Sequence, residues 1–292
     1  MFATVNFILN MIVCTNKSEI QVLISKEKEK GTTFGFVPTM GALHNGHMSL
    51  VKRALQENNL CVVSIFVNPT QFDNEEDLKK YPRTLERDVE LLKTVSDKIL
   101  VYAPSVNDIY EGNTKSEHFG FDGLEFEMEG KFRLGHFDGV GTIVKRLFEI
   151  VTPNIAYFGE KDFQQLAIIK KLAQKYNIPV TVKGCEIYRE DSGLAYSSRN
   201  ERLKPDYKNA APFIFKTLTA AKEKFGTKSA KEVTEWVEKQ FAKNKFLELE
   251  YFIIADIATL KTVKRKSKTK TYRAFVAAYA DDIRLIDNLA LN

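Results

Sequence analysis

The chain has 292 residues, of which 44% are hydrophobic and 28% charged, and it carries a formal net charge of +5. This composition is typical of a globular protein with a buried core, and the length predicts two domains or one large domain with an appendage. No apolar run approaches the roughly 18 residues that span a membrane. The positive excess is local, because residues 261–273 contain seven Lys or Arg and no acidic residue. Without aromatic side chains over residues 261–271, this segment favours a solvated hairpin tip over a nucleic-acid site.

The amino-terminal segment and the cysteines both favour a cytoplasmic protein. Residues 1–15 are apolar but contain no Lys or Arg and no small-residue cleavage site, so a signal peptide is not expected. Met11 is an alternative start, which would make residues 1–10 an extension. The three cysteines, Cys14, Cys61 and Cys185, are far apart and odd in number, as expected for buried thiols in a reducing compartment.

Residues 36–50, FVPTMGALHNGHMSL, combine the end of a buried strand, a tight turn and the start of a helix. An apolar stripe over residues 48–55 predicts that helix. Unpaired backbone N–H groups and the positive end of a helix dipole favour an anion, most often a phosphate, above such a turn. Gly41 and Gly46 lack a Cβ atom and would let a ligand approach the backbone closely.

Two histidines, His44 and His47, lie where that turn becomes the helix. A zinc site would need a third or fourth ligand, and although His118 and His136 exist, no Cys or acidic residue has ligand spacing here. Buried core histidines are a second alternative, which the glycine between the two histidines disfavours. The pattern favours two imidazoles that donate hydrogen bonds to phosphate oxygens at a helix start.

The segments that follow alternate between strands and helices. Residues 60–67 form a continuous apolar run, which predicts a parallel strand buried on both faces. With the strand and helix before it, this run makes a right-handed βαβ unit. Asn68 and Gln71 follow the run, at the carboxyl end where open α/β sheets bind ligands. Further helices are predicted at 88–94 and 139–151, and another follows a turn at 159–162 and carries Leu166, Ile169 and Leu172. Further strands are predicted at 98–102, 155–158 and 180–183.

Two longer segments have a different texture. Residues 105–131 are rich in Gly, Asn and Glu without clear periodicity, which predicts a lid or a disordered excursion. From residue 185 the pattern becomes α+β, with a polar loop and then separate helices and strands. The helices are predicted at 206–225 and 229–242, and the strands at 247–254 and 272–279. We therefore expect a Rossmann-like domain over 1–184, with helices on both faces of a parallel sheet, and a smaller α+β domain over 185–292.

Three polar motifs remain, each weak alone. Lys161 and Asp162 follow a buried strand and could form a solvated turn, and Gln164 and Gln165 begin the next helix. Residues 197–199, Ser-Ser-Arg, could clamp a small anion, although such triplets are common. No GxxxxGK(S/T) loop occurs, nor does GxGxxG followed by an acidic residue.

In combination these segments resemble one family closely, the pantothenate synthetases, within the superfamily that carries an HxGH signature. The resemblance runs collinearly from about residue 12 to the end. The matching segments are VPTMGALHNGH (37–47), VSIFVNPTQF (63–72), YPR (81–83), HF (136–137), FGEKDFQQ (158–165), GLAYSSRN (193–200) and RLIDN (284–288).

The resemblance implies that ATP and pantoate react to pantoyl adenylate and pyrophosphate, and that the amine of β-alanine then releases pantothenate and AMP. It also implies Mg²⁺ held mainly by the ATP phosphates, no metal site of the protein itself, and a cytoplasmic homodimer. No nucleic-acid or membrane partner is implied. Residues 105–131 would cover the reactive intermediate from water.

The resemblance also assigns residues. Catalysis would involve His47, which is the expected proton donor, and His44, Lys161, Ser197, Ser198 and Arg199. ATP would be bound by Pro38, Met40, Gly41, His44, Gly46, His47, Gly159, Lys161, Asp162, Tyr188, Tyr196, Ser197, Ser198 and Arg199. Pantoate would be bound by Gln71, Gln165, Asn68 and Arg133, and β-alanine by Gln71.

Two departures and two rival functions qualify the resemblance. Tyr196 stands where the family usually has Met, which affects the adenine end, and the basic stretch 261–270 is not a family signature. A nucleotidylyltransferase with a phosphorylated acceptor would need a basic acceptor pocket, whereas Asn68 and Gln71 are neutral. A regulator that kept the fold without the chemistry is disfavoured by the complete set of histidine, lysine and arginine residues.

Overall fold

The computed structural model describes residues 6–8, 11–72 and 75–292, and these fold as two compact units. Unit 1 consists of the described residues up to Glu160 together with Gln164–Glu186. Unit 2 consists of Lys161–Phe163 and Ile187–Asn292. Among the described residues, no helix combines the length and the apolarity needed to cross a bilayer. The proposed extension before Met11 lies largely outside the described residues.

Unit 1 is built on a seven-stranded sheet. Its strands are β1 (Asn6–Ile8), β2 (Met11–Cys14), β3 (Phe34–Thr39), β4 (Leu60–Ile65), β5 (Ile99–Tyr102), β6 (Ile155–Gly159) and β7 (Thr181–Cys185). They lie in the order β1-β2-β5-β4-β3-β6-β7, and all pairs from β2 to β7 are parallel, whereas β1 is antiparallel to β2. The predicted parallel α/β sheet is confirmed, although β1 and β2 were not anticipated.

Helices cover both faces of this sheet, as predicted. They are α1 (Lys17–Lys28), α2 (Asn45–Glu57), α3 (Glu75–Lys80), α4 (Leu85–Lys93), α5 (Val106–Tyr110), α6 (Glu129–Phe132), α7 (His136–Val151) and α8 (Phe163–Lys175). Side chains alternate along β3, so Val37 packs with Val51 of α2 on one face. Phe36 meets Phe148 of α7 on the other, with ring centroids 6.2 Å apart.

The strand order places a topological switch point between β3 and β6. From β3 the chain moves through β4 to β5 on one side, and it returns to the other side of β3 with β6 and β7. Open α/β sheets bind ligands outside the carboxyl ends of their strands at such a point. The turn after β3 contains His44 and His47, and β6 ends at Gly159.

Residues 105–131 are not the disordered excursion that was one of the two predictions, because much of the segment is helical and packed. The other prediction, a cover over the active site, stays a prediction. The segment contains α5, a 3-10 turn at Leu124–Phe126 and the start of α6. The rings of Phe119 and Phe121 are buried. The buried amide of Gln164 donates to the carbonyls of Leu124 (2.8 Å) and Glu127 (2.7 Å). The elements are too short to show a period, so their order comes from packing.

Unit 2 has three helices and a three-stranded antiparallel sheet in the order β10-β9-β8. The elements are α9 (Pro205–Ala210), α10 (Phe213–Thr227), α11 (Ala230–Phe241), β8 (Glu248–Asp256), β9 (Tyr272–Ala280) and β10 (Ile283–Ala290). The single helix predicted over 206–225 is interrupted before Pro212, and β10 was not predicted as a strand. Residues 264–271 are exposed in the connection between β8 and β9, in agreement with the predicted hairpin tip.

The three cysteines are free thiols. Cys14 and Cys61 are buried as predicted, and burial raises the pKa of the Cys14 thiol to about 12. Cys185 ends the edge strand β7 and is only half-buried, which corrects the prediction at that position.

An ion-pair cluster at the end of α2 generates a pH prediction. Glu57 accepts hydrogen bonds from Lys183 (2.6 Å), Tyr157 (2.8 Å) and Arg53, which together lower the pKa of the Glu57 carboxyl to about 2. A depressed carboxyl pKa stabilises the folded state above the unfolded-state pKa, and this stabilisation disappears as pH falls toward the folded-state value.

We expect the melting temperature of the wild type to fall more steeply than that of Glu57→Gln between about pH 4.5 and about pH 2. Calorimetry or circular dichroism across this range measures both curves. The control Glu90→Gln removes an exposed carboxyl of α4 and should follow the wild type. Parallel curves for the wild type and Glu57→Gln would contradict the prediction.

Candidate active site

The first group of predicted site residues is the histidine pair at the start of α2. His44 is the N-cap residue, and its Nδ1 atom accepts a hydrogen bond from the Gly46 N–H at 3.1 Å. Nδ1 of His47 accepts from the His44 N–H at 3.3 Å, and the two ring centroids are 4.1 Å apart. A neutral imidazole whose Nδ1 accepts carries its proton on Nε2. Both rings are therefore held as Nε2–H donors at the positive end of a helix.

This geometry bears on the two alternatives for the histidines. Neither ring is fully buried, and both cap a helix start, which argues against core histidines. Within residues 6–8, 11–72 and 75–292, no three His, Cys, Asp or Glu side chains are grouped so that they could hold a metal ion. The arrangement suits hydrogen bonding to an anion.

Asp88, which the sequence did not single out, holds the turn that leads to these histidines. Its buried carboxylate accepts from the N–H groups of Ala42 (3.0 Å) and Leu43 (2.8 Å) and from the Thr84 hydroxyl (3.2 Å). Burial raises the pKa of this carboxyl, although the three hydrogen bonds act in the opposite direction. Ala42 has φ +49°, a conformation that costs an alanine about 1–2 kcal/mol. Asp88 thus fixes a strained turn.

Gly41 is required in the same turn. It has φ +82°, and a Cβ atom there would lie 3.0 Å from the nearer Asp88 carboxylate oxygen and 3.1 Å from Ile65. No local sequence signal identifies Asp88, because its contact with Leu43 spans 45 residues. Only the packing of α4 beside the turn brings them together.

The second group surrounds Gln71, after β4. Asn68 is 1% exposed, and its amide donates to the Gln71 side-chain oxygen (3.2 Å) and to the Gly139 carbonyl (3.2 Å). Its oxygen accepts from the hydroxyls of Tyr110 (2.5 Å) and Thr70 (3.1 Å). Asn68 therefore orients Gln71, and its polar atoms are engaged with the protein itself.

The backbone carbonyl of Gln71 accepts hydrogen bonds from one guanidinium group and one imidazole ring. Arg133 donates to it at 3.0 Å, and Nδ1 of His136 lies 3.0 Å from it. Arg133 also contacts Nε2 of His136 at 3.3 Å. Arginine cannot accept, so Nε2 accepts and Nδ1–H donates to Gln71. The Gln71 side-chain nitrogen lies 2.8 Å from the Met40 sulfur. The structure thus gathers Met40, Asn68, Gln71 and Arg133, together with His136.

Close packing of α7 supports this group. A Cβ atom at Gly139 would lie 2.2 Å from the Thr70 carbonyl oxygen, so only glycine lets α7 approach the turn at 69–71 so closely. The other predicted site residues of unit 1 lie on β3, β6 and α8. Pro38 is half-buried in β3 and pairs with Ser64 of β4, Gly159 ends β6, and Gln165 is half-buried in α8.

The third group lies in unit 2 and forms a cleft. Three of the predicted residues, Lys161, Ser197 and Arg199, line it together although they come from separate parts of the chain. Ser197 caps the 3-10 turn Ser198–Arg202, where its hydroxyl accepts from the Arg199 N–H at 3.3 Å. The remaining lining residues are Leu194, Ala195, Asn200, Ile214, Arg284, Leu285, Ile286 and Asp287.

The charges of this cleft suit an anion. The Lys161 side chain is 17% exposed, and its Nζ atom lies 3.8 Å from the Asp162 carboxylate. Arg199 is exposed at the surface. A lysine point charge and an arginine fork beside a serine hydroxyl are groups that proteins use to bind phosphate.

The two candidate adenine-site tyrosines pack against each other. The ring centroids of Tyr188 and Tyr196 are 5.4 Å apart, and the Tyr196 N–H donates to the Tyr188 carbonyl at 3.0 Å. Tyr196 therefore presents a flat, half-buried ring where the resemblance led us to expect a methionine.

The chain is similar to the proteins of one family over almost its whole length. The family model Pantoate-beta-alanine ligase matches residues 12–290. A pantothenate synthetase of Flavobacterium psychrophilum is 59% identical over 281 residues, which cover 96% of this chain and 100% of the relative. A pantothenate synthetase of Christiangramia forsetii is 57% identical over 282 residues, covering 97% and 100%.

Solved structures are similar over the same length. A crystal structure of pantothenate synthetase from Thermus thermophilus has a TM-score of 0.86 at 38% identity and covers 96% of this chain and 99% of its own. The pantoate-beta-alanine ligase of Francisella tularensis, complexed with beta-gamma ATP and beta-alanine, has a TM-score of 0.77 at 34% identity and covers 96% and 98%.

The Asp88 clamp generates a stability prediction. In Asp88→Asn one carboxylate oxygen becomes an NH₂ group that faces a backbone N–H, so we expect the free energy of unfolding to fall by about 1–3 kcal/mol. Denaturant unfolding measures this change. The control Glu90→Gln, on the exposed side of α4, should change it by less than about 0.5 kcal/mol. Equal stability of the two variants would show that Asp88 does not hold the turn.

Proposed function

This chain belongs to the pantoate–β-alanine ligase family, and from that premise we propose that it joins (R)-pantoate to β-alanine with ATP. The products are pantothenate, AMP and pyrophosphate, so the enzyme supplies the vitamin precursor of coenzyme A. The observation that carries the proposal is the match over residues 12–290 to the family model. The Nε2–H histidine pair and the Gln71 group supply a chemical reason for it.

In the first step an oxygen of the pantoate carboxylate attacks the α-phosphorus of ATP. A P–O bond forms to the carboxylate, and the bond from the α-phosphorus to the leaving pyrophosphate breaks. Two anions repel each other in this step, so donors aimed at the developing charge lower the barrier most. We assign this role to His44 and His47 of unit 1 and to Lys161 and Arg199 of unit 2. Ser197 and Ser198 would bind phosphate oxygens beside them.

Pantoate would be recognised by the group around Gln71. The Gln71 side chain is oriented by Asn68, and Arg133 brings a guanidinium to the same position. Amides suit the hydroxyl groups of a hydroxy acid, and a guanidinium suits its carboxylate. Gln165 would contribute a second amide. A phosphorylated acceptor, required by the rival nucleotidylyltransferase function, would need more positive charge here than the single Arg133.

In the second step the neutral amine of β-alanine attacks the carbonyl carbon of pantoyl adenylate. A C–N bond forms, the C–O bond to the phosphate breaks and AMP leaves, while the amine nitrogen releases one of its two protons to the solvent. We assign Gln71 to β-alanine as well as to pantoate. ATP would lie along Pro38, Met40, Gly41, Gly46 and Gly159, with Asp162 at the ribose and the two tyrosines, Tyr188 and Tyr196, at the adenine.

The reaction class implies Mg²⁺. The described residues contain no group of acidic side chains arranged as metal ligands, so we propose that the ion is held mainly by the ATP phosphates. There it would neutralise the departing pyrophosphate. We also propose that the chain works in the cytoplasm as a homodimer, without nucleic-acid or membrane partners. Sedimentation velocity of the purified protein measures the oligomeric state.

Isotope exchange between ATP and pyrophosphate tests the proposed reaction. Because the adenylate forms before β-alanine is used, we expect exchange with ATP, Mg²⁺ and pantoate alone, and none when pantoate is omitted. Adding β-alanine should then convert pantoate to pantothenate with release of AMP. Exchange that ignores pantoate would overturn the proposal.

Substitution of the histidines tests their assigned role. We expect His44→Ala and His47→Ala to lower the exchange rate by about 10²–10³, the loss typical of one charge-stabilising donor. His44→Asn separates catalysis from helix capping, because asparagine is a good N-cap residue but has no Nε2–H group. It should retain the wild-type melting temperature and still lose the activity.

His118→Ala is the matched control. His118 is exposed and paired with Asp138 at 2.9 Å, outside the proposed site, so its loss should leave exchange unchanged. A fully active His44→Asn variant would show that His44 only caps the helix.

A further inference from the structure

The closing motif RLIDN, on β10, matches the family, but none of its residues is assigned to ATP, pantoate or β-alanine. Two of its residues, Asp287 and Asn288, are buried polar side chains, with exposures of 4% and 1%. Successive side chains of a strand point to opposite faces of its sheet. These neighbours can therefore hold two different segments of unit 2.

Asn288 holds the segment that contains Lys161. Its side-chain nitrogen donates to the Lys161 carbonyl at 2.8 Å, across 127 residues of sequence. Its side-chain oxygen accepts from Arg273, a donor only, which fixes the orientation of the amide. The Arg273 guanidinium in turn lies 4.1 Å from the ring centroid of Phe163, and that ring packs against Phe275 at 5.9 Å. Lys161–Phe163 is thus attached to β9 and β10.

Asp287 holds the segment that leads to Ser197 and Arg199. Its carboxylate makes a two-pronged ion pair with Arg189, with N–O distances of 2.7 Å and 2.9 Å. Arg189 also donates to the Gly193 carbonyl at 3.0 Å, and its guanidinium lies 3.8 Å from the centroid of the Phe215 ring. The contacts of Arg189 therefore hold the turn at 189–195 in place.

We propose that Asp287 and Asn288 are positioning residues that fix the two phosphate-binding segments of unit 2 relative to each other. Asn288 acts through Lys161, and Asp287 acts through the turn before Ser197–Arg199. One short strand thereby sets the spacing of the cationic groups in the cleft. This inference rests on the proposed function, because it takes the cleft to bind the ATP phosphates.

Physical arguments favour positioning over a merely stabilising role. A buried ion pair is weak evidence for stability, since its desolvation offsets much of its attraction, but its geometry is specific. Asp287 itself lines the cleft, although an acidic group would repel a phosphate unless its charge is neutralised. The bidentate contact with Arg189 supplies that neutralisation. Displacement of a catalytic group by about 1 Å is enough to cost a rate factor of about 10².

A double-mutant cycle with Lys161 tests the role of Asn288. We expect Asn288→Ala to lower the pantoate-dependent exchange rate by about 10²-fold in the wild-type background. In a Lys161→Ala background the same change should lower it by less than about threefold, because residues that act as a unit are non-additive. ATP affinity, measured by calorimetry with Mg²⁺, should follow the same pattern.

The matched control is Asn58→Ala. Asn58 is also a buried asparagine, and its amide donates to the Ala54 carbonyl at 2.9 Å, but it lies at the far end of α2. Asn58→Ala should lower the melting temperature about as much as Asn288→Ala does. Below that temperature its exchange rate should equal that of the wild type. If Asn288→Ala does not fold, Asn288→Ser, which retains a short donor, takes its place in the cycle.

Asp287→Asn tests the second contact. We expect it to weaken ATP binding by about tenfold, with the loss absent in an Arg199→Ala background. Asp281→Asn is its control, because Asp281 lies in the turn between β9 and β10 and forms an ion pair with the exposed Lys204. Asp281 has φ +58°, which asparagine tolerates, so Asp281→Asn should leave ATP binding unchanged.

The outcomes separate this inference from the proposed function. Absence of exchange in the wild type overturns the proposed function, whereas ATP affinities of the variants still test the positioning role. Additive losses in both cycles, or wild-type ATP affinity and exchange in folded Asn288 and Asp287 variants, overturn the inference. Non-additive losses confined to the Asn288 and Asp287 variants support it.

Discussion

The arrangement of this protein depends on two hydrogen bonds in which backbone N–H groups donate to imidazole nitrogens. The N–H groups of Gly46 and His44 occupy Nδ1 of His44 and of His47, and each ring must then carry its proton on Nε2. The same bonds satisfy N–H groups that a helix start would otherwise leave unpaired. The same two hydrogen bonds therefore cap the helix and orient both Nε2–H groups toward an anionic ligand. The preceding turn, held by Asp88, sets the position of the two rings.

In each unit, buried polar residues hold the groups that are proposed to meet the substrates. Asp88 fixes the turn before His44, Asn68 orients Gln71, and Asn288 holds Lys161. Each is at most 1% exposed. Preorganised donors cost little reorganisation when charge develops, and this is why an enzyme for two mutually repelling anions benefits from such support. Each supporting residue makes these contacts within its own unit.

Local patterns were sufficient to predict β3, α2 and β4. A continuous apolar run indicates a buried strand, a glycine-containing segment indicates a turn, and an apolar stripe with helical spacing indicates a helix. They failed over 105–131, where short elements are ordered by Phe119, Phe121 and the amide of Gln164. They also missed β10, whose mixture of polar and apolar residues reflects buried Asp287 and Asn288. A buried polar residue resembles a surface residue until its partner is known.

The amino-acid sequence was enough to identify the family, the parallel α/β class and the motif that places two histidines at a helix start. These properties are carried by contiguous residues, so short-range chemistry is enough to identify them. The three-dimensional fold was needed to locate the switch point between β3 and β6, the residues that orient Gln71 and Lys161, and the clamp of Asp88 on the turn. These depend on contacts between distant parts of the chain, such as the 127 residues between Lys161 and Asn288, which no local pattern encodes.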